Sequence, residues 1–200
     1  IKVGYVRVAA SFIDFEKLHQ AGAHSFVDPH LLRESHEHAA FEGALPGSGL
    51  VIHGFTGVDS WRQELDQFLH DTKFDQASEQ TLADMLLALH GSPNAPAATA
   101  PLRRCPVCKA SDAQLSGGKI DVPKGGTVCP ECGKKVFLGD VLRTEEEYMP
   151  EGSNRSCLTR MMLVAERLTT LGYMQLLFED PHGYDVLART IFITDGPLGL

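Results

Sequence analysis

The sequence lacks the long apolar stretches of a membrane protein. It has no run of about 18 consecutive apolar residues, which a membrane-spanning helix needs, and no signal peptide is visible at its start. Its 200 residues are 43% hydrophobic and 22% charged, a composition typical of one soluble domain or of one domain with a small insert. These absences predict a cytoplasmic protein that has no membrane partner.

Positive charge is also scarce. The net charge of −8 argues against a general polyanion binder. Residues 101–143 are the exception, since they hold eight Lys and Arg against four Asp and Glu, which gives +4 and leaves −12 on the remainder. Any attraction to nucleic acid is therefore predicted to centre on this middle segment.

Cysteine is rare, yet four of the five cysteines have a metal-ligand spacing. They form two Cys-x-x-Cys pairs separated by twenty residues: Cys105 with Cys108, and Cys129 with Cys132. Four thiolates at this spacing can close a tetrahedral Zn²⁺ site, and Gly133 suits the tight turn after the second pair. Disulfides are the competing interpretation, which the lack of a secretory context disfavours. We predict a structural zinc ion, because four protein ligands leave no open coordination position. Cys157 lies outside the spacing and is predicted to be a buried or half-buried free thiol.

Proline and small residues divide the chain at one place. Residues 92–101 contain three prolines and no large apolar side chain, which predicts an extended linker. The predicted organisation has four parts: a first part of an α/β domain (1–91), the linker (92–101), a zinc ribbon insert (102–136) and the continuation of the α/β domain (137–200). Because the linker would isolate the ribbon, a Cys108→Ser change is expected to leave the helices at 60–90 largely intact.

Hydrophobic periodicity places the remaining elements. Predicted strands cover residues 1–9, 50–55, 136–138, 174–178 and 191–193. Predicted helices cover 60–71 with Ser60 as N-cap, 78–90, and 155–171 closed by Gly172. Residues 34–40 are polar and helix-like, so His36 and His38 are predicted to be exposed to solvent rather than to bind a metal.

The last eleven residues contain a candidate catalytic carboxylate. The apolar run 191–193 is typical of a buried strand, and Asp195 follows it after Thr194, where α/β enzymes often hold a metal. Asp-Gly-Pro is also strong turn chemistry, so the residues alone leave a simple turn open.

The segment Phe-Ile-Thr-Asp-Gly-Pro-Leu, residues 192–198, resembles the hydrophobic-Asp-Gly-[Ser/Pro]-Leu motif of the NurA family of DNA-end-processing nucleases. Residues 136–143 and 160–168 are similar in order and spacing to bacterial NurA-like proteins, and the resemblance covers roughly residues 1–15 and 136–200. It implies an α/β fold with an RNase H-like mixed sheet and helices, carrying an inserted zinc ribbon. Within that fold, the resemblance implies that Asp195 is a ligand of a catalytic Mn²⁺ or Mg²⁺.

The resemblance also implies a second carboxylate and an incomplete site. The family places a metal-binding Glu in the helix ahead of the Asp-Gly strand, which points to Glu166, with Glu179 and Asp180 as rivals. It also needs an Asp on a strand ahead of Ile1 and residues beyond Leu200, so we expect the sequence to be a fragment with at best half a site. Pro197 stands where archaeal members more often have Ser, and a zinc insert is not a general family feature.

The function that the resemblance implies is divalent-metal-dependent hydrolysis of DNA, in end processing or phage defence. It implies a HerA-type hexameric ATPase as partner and a homodimer as the assembly. Two alternatives stay open: a non-catalytic zinc-ribbon adaptor that binds nucleic acid or a protein, and a degenerate RNase H-like subunit that only docks on a motor ATPase.

Overall fold

The chain folds into a mixed α/β structure with small antiparallel sheets. In this computed structural model, residues 2–13, 36–49, 51, 54–74, 78–92 and 95–193 are described. Their strands form three two-stranded sheets: β1 (Lys2–Ile13) with β2 (His36–Ser48), β3 (Thr99–Leu102) with β4 (Ile120–Pro123), and β5 (Thr127–Val128) with β6 (Lys135–Val136). Their α-helices are α1 (Gly57–Asp71), α2 (Leu82–Ala88), α3 (Arg155–Glu179) and α4 (Gly183–Leu187). Two 3₁₀ helices, Leu138–Leu142 and Thr144–Glu147, follow β6. No helix in the described ranges is long and apolar enough to cross a membrane.

The pair β1–β2 has one face on the helices and one in solvent. Val6 and Val8 are buried against the core while the alternate residue Tyr5 is exposed, as the period of two along a strand requires. This confirms the strand predicted near the start of the chain. Residues 36–40 were predicted to be helix-like, which is wrong: they begin β2 and pair with the end of β1. A polar strand of this kind is fixed by its partner strand, which local sequence does not reveal.

Helix α1 buries the predicted apolar stripe but begins earlier than predicted. Trp61, Leu65, Phe68 and Leu69 are buried, as the spacing indicated. The N-cap is Thr56 rather than Ser60, and its side chain accepts a hydrogen bond from the backbone of Asp59. Ser60 is inside the helix, where its hydroxyl donates to the Thr56 carbonyl oxygen.

Helix α2 is shorter than the predicted range of 78–90. Thr81 and Asp84 form a capping box at its start, and the helix ends at Ala88. Leu82, Met85 and Leu86 are buried as predicted, whereas Leu89 is 51% exposed. The capping box therefore fixes where the helix begins. After Ala88, an apolar residue such as Leu89 need not be buried.

Helix α3 is longer than predicted and replaces a predicted strand. It runs through Gly172 to Glu179, so the strand predicted at 174–178 is wrong. Gly172 packs against Phe74, where an added Cβ would lie only 2.7 Å from a ring carbon. Helix packing therefore explains this glycine, and the helix does not end there.

Residues 191–193 do not form the predicted buried strand. They have no regular secondary structure, and Ile191 and Ile193 are 80% and 89% exposed. The strand predicted at 136–138 is also different, since Val136 ends β6 in a small hairpin and residue 138 begins a 3₁₀ helix. Of the strand predicted at 50–55, Val51 and residues 54–55 are not in a strand, and the rest lies outside the described residues.

One hydrophobic core joins the helices to the cysteine-containing segment. It includes Trp61 of α1, Leu86 of α2 and Met161 of α3, together with Leu102 of β3 and Val122 of β4. The end of the predicted linker belongs to this core, because residues 99–101 are the first part of β3 and Ala100 is fully buried. The segment after the linker thus packs directly on the helices.

Candidate metal centre

The four predicted zinc ligands lie together at one point of the structure. The sulfur atoms of Cys105, Cys108, Cys129 and Cys132 all lie within 4.8 Å of one another. The Sγ atoms of Cys105 and Cys132 are 3.9 Å apart, as are those of Cys108 and Cys129. A tetrahedral zinc ion with Zn–S bonds of about 2.3 Å needs sulfurs about 3.8 Å apart. The four cysteines could therefore hold a metal such as zinc.

A disulfide does not fit this geometry. All five cysteines are free thiols, and a disulfide would need a sulfur–sulfur distance of about 2.05 Å. In the described part of the chain, these four residues are the one group of three or more His, Cys, Asp or Glu side chains close enough to hold an ion. With four protein ligands the site is closed, which suits a structural ion rather than a catalytic one.

Each cysteine pair lies on a tight backbone turn that we call a knuckle. In the first knuckle the Lys109 N–H donates to the Cys105 carbonyl (3.0 Å), and in the second the Gly133 N–H donates to the Cys129 carbonyl (2.9 Å). The residue after each pair has a left-handed backbone, with φ of +62° at Lys109 and +66° at Gly133. This confirms the turn role predicted for Gly133, and it places a lysine in the same conformation on the first knuckle.

The backbone near the knuckles also points donors at sulfur. The Val107 N–H donates to Cys105 Sγ at 3.4 Å. Burial raises the pKa of the Cys105 thiol to about 12, whereas a backbone hydrogen bond from Ala110 lowers the pKa of the exposed Cys108 thiol. Since a metal binds the thiolate, metal binding must release protons from the buried cysteines.

Helix α1 is joined to the segment after the second knuckle by a buried ion pair. Arg62 Nε lies 2.8 Å from Asp140 Oδ1, and Arg62 Nη2 lies 2.7 Å from Asp140 Oδ2. Nη2 also donates to the Lys135 carbonyl, and Nη1 to Asp59. Sequence patterns do not predict this pair. A lone aspartate after an apolar run gives no local signal that its partner lies on α1.

Of the candidate catalytic carboxylates, those on and directly after α3 fall within the described residues. Glu166 is partly buried on α3, and its carbonyl accepts a bond from the Thr170 hydroxyl. Asp195 lies outside the described residues. Glu179 is exposed and accepts a bond from Gln175, while Asp180 follows the end of α3 and caps the His182 N–H. The two rivals thus end a helix, and not the strand on which they were predicted.

Cys157 is the remaining thiol, and it has a structural environment. It is fully buried on α3, and its Sγ contacts the Thr144 carbonyl at 3.4 Å. Burial raises its pKa to about 11. The prediction of a buried free thiol is confirmed.

No protein-family model, curated protein or solved structure matches this chain. The resemblance to the NurA family therefore rests on the sequence motifs alone and stays a prediction.

Proposed function

We propose that this chain belongs to a divalent-metal-dependent DNA nuclease of the NurA type, with an RNase H-like core. The observation that carries the proposal is the sequence motif at 192–198, preceded by a helix that includes Glu166. In this proposal Asp195 and Glu166 hold a catalytic Mn²⁺ or Mg²⁺. A bound cation of this kind activates a water molecule and offsets charge on the phosphate oxygens during phosphodiester hydrolysis.

The cysteine site has a separate role in the proposal. Its four ligands would hold Zn²⁺ as a structural ion that stabilises the two knuckles. Hydrolysis then depends on carboxylates elsewhere, because a closed four-thiolate site has no position for water or substrate.

The proposal is tested by replacing Asp195 with Asn in the full-length protein. This change keeps the shape of the side chain but removes the charge that holds a divalent cation. We expect it to abolish Mn²⁺-dependent DNA cleavage while the melting temperature without added metal stays nearly unchanged. Glu166→Gln should have the same effect if it is the second ligand.

Glu179→Gln is the comparison variant, because Glu179 is the rival candidate ligand and an exposed carboxylate at the end of the same helix as Glu166. Loss of cleavage in Glu179→Gln but not in Glu166→Gln would move the second ligand to Glu179. Cleavage by Asp195→Asn at the wild-type rate would refute the role of Asp195. If Asp195→Asn unfolded the protein instead, Asp195 would be a structural turn residue.

The resemblance extends the proposal to a HerA-type hexameric translocase and to a homodimer. An acidic protein with one basic segment is a poor DNA binder by itself, so a motor that delivers DNA suits its charge. Co-purification with such an ATPase would support this. A single protein species with full nuclease activity and no partner would contradict it.

A second candidate function is a non-catalytic adaptor that acts through its cysteine site. The specific observation in its favour is the close approach of the four sulfur atoms. The two functions differ in the Asp195→Asn experiment, because an adaptor has no cleavage activity to lose.

A further inference from the structure

Internal ion pairs neutralise only part of the positive charge of residues 101–143. Half of the eight basic residues contact carboxylates: Arg104 and Arg143 with Glu146, Lys119 with Asp121, and Lys124 with Asp84. The other four are exposed, and the described residues offer them no carboxylate at ion-pair distance: Arg103, Lys109, Lys134 and Lys135. Lys135 instead places its ammonium 4.7 Å from the centre of the Phe137 ring.

Two of the four acidic residues of the same segment are paired with a base. Asp121 pairs with Lys119, and Asp140 pairs with Arg62. The other two accept backbone hydrogen bonds: Asp112 from Ala113, and Glu131 from Ser116. These hydrogen bonds leave the charges of Asp112 and Glu131 in place, so the residues of this segment that have no partner of opposite charge are four bases and two acids, although the chain as a whole is acidic.

Three of the unpaired bases lie on or next to the knuckles. Lys109 directly follows Cys108, and its N–H is bonded to the Cys105 carbonyl. The Lys134 carbonyl accepts from the Cys129 N–H at 2.9 Å, so this lysine is fixed to the second knuckle. Arg103 precedes Cys105 by two residues. We call the exposed surface of Arg103, Lys109 and Lys134 the knuckle surface.

A competing role for the two lysines is to offset the charge of the metal site. Four thiolates and one Zn²⁺ carry a formal charge of −2, which nearby lysines would reduce. Both lysines are exposed, however, and water screens such pairs to about 0–1 kcal/mol. The backbone N–H of Val107 already donates to the sulfur of Cys105. Charge balance at the metal site therefore does not require these side chains.

We propose that the knuckle surface binds the phosphate backbone of the DNA substrate, without reading its sequence. Three bases held beside a rigid metal site can each displace a condensed counterion from DNA. The inference deepens the proposed nuclease function and rests on it for naming DNA as the polyanion. Arg103, Lys109 and Lys134 lie outside all the helices of the described residues, so affinity should come from phosphate contacts.

The test measures how the affinity of the full-length, zinc-loaded protein for labelled double-stranded DNA depends on salt. Fluorescence anisotropy is recorded without added Mn²⁺ or Mg²⁺, so that no cleavage interferes. The triple variant Arg103→Gln, Lys109→Gln, Lys134→Gln is compared with wild type. Each lost phosphate contact should reduce the slope of log K against log salt by about 0.9, so the full change is about 2.7. Affinity at low salt should fall at least about 10-fold.

The matched control removes three exposed bases from elsewhere in the chain: Lys73→Gln, Arg167→Gln and Arg189→Gln. It has the same net charge as the test variant and should keep most of the wild-type slope. A conservative variant, Lys109→Arg with Lys134→Arg, should bind DNA as wild type does. Zinc content, measured in every variant, should stay at about one ion per chain.

Three outcomes would overturn the proposal. The test variant could bind DNA with the same slope as the control, which would make the surface irrelevant to DNA. If the test variant lost zinc, Arg103→Gln alone would replace it in the test, because that substitution changes no knuckle residue. An unchanged slope in Arg103→Gln would then overturn the proposal. The wild type could fail to bind DNA but bind an acidic protein segment. Failure of the nuclease assignment is distinguishable, because it appears in the cleavage assay of Asp195→Asn and not in the salt dependence.

Discussion

The buried pair between Arg62 and Asp140 gives the sharpest prediction about stability. The Arg62 side chain is 4% exposed and that of Asp140 is 1% exposed, so water reaches neither charge freely. Replacing Asp140 with Asn keeps the size of the side chain and removes its charge. The guanidinium is then left with Asp59, which is 32% exposed, and one backbone carbonyl as partners.

Asp140→Asn is expected to lower the free energy of unfolding because it leaves the buried charge of Arg62 without its main partner. Burial lowers the pKa of Arg62, but the hydrogen bonds and charges of Asp140 and Asp59 outweigh this and raise it. A guanidinium stays protonated in proteins even without this partner, so Arg62 cannot avoid the loss by giving up its proton. Breaking one partner of a buried pair costs about 3–5 kcal/mol. For a chain of this size, that lowers the melting temperature by about 6–20 °C.

Urea unfolding followed by tryptophan fluorescence measures this change. Trp61 is the one tryptophan of the sequence, and it is buried on α1, one residue before Arg62. Asp121→Asn is the control, since the Lys119–Asp121 pair is 49% exposed on both sides and should change stability by less than about 1 kcal/mol. A loss of less than about 1 kcal/mol in Asp140→Asn would refute the reasoning.

Three further predictions concern the metal site, the buried thiol and the packing of α3. Elemental analysis of purified protein should give about one zinc per chain, and Cys108→Ser should lower the zinc content to well below one per chain. A zinc-free preparation that stays fully folded would contradict this prediction. The raised pKa of about 11 makes the Cys157 thiolate about 100-fold rarer than that of an ordinary thiol, and the side chain is fully buried, so Cys157 should react with iodoacetamide at pH 8 at least about 100-fold more slowly than a free thiol. Because its folded pKa is raised, the stability it contributes should be complete below pH 9 and lost as pH rises towards 11. Gly172→Ala should destabilise the protein by about 1–3 kcal/mol in thermal unfolding, because the new methyl group meets the Phe74 ring; a stabilised variant would show that the ring moves aside at no cost.

The parts that the sequence predicted well depend on residues close together along the chain. Two cysteine pairs define a metal site because each knuckle is a local turn, and the geometry between the pairs then follows from four sulfur ligands. The apolar stripe of α1 was likewise predictable from its spacing, since Trp61, Leu65 and Phe68 repeat with the period of a helix.

The parts that failed depend on partners far away in sequence. A glycine after an apolar helical run is typical of a helix end, so Gly172 was predicted to close the helix. Gly172 instead lies inside α3, where it packs against Phe74. Residues 36–40 have helix-like polarity, yet pairing with β1 makes them a strand. The prediction at 191–193 failed for a different reason: three apolar residues in a row favour a strand only when another element covers them, and Ile191 and Ile193 are exposed.

The predicted independence of the cysteine segment fails by the same argument. Arg62 of α1 holds both Asp140 and the carbonyl of Lys135, which lies at the start of β6. Lys124, after β4, pairs with Asp84 of α2 at 2.6 Å. Loss of the metal would release the second knuckle and with it the backbone of β6 that Arg62 contacts. The buried guanidinium would then lose one of its partners, so zinc removal should weaken α1 as well as the knuckles. The expectation that the helices stay intact in Cys108→Ser therefore has to be replaced by one in which the environment of Trp61 changes when the metal is lost.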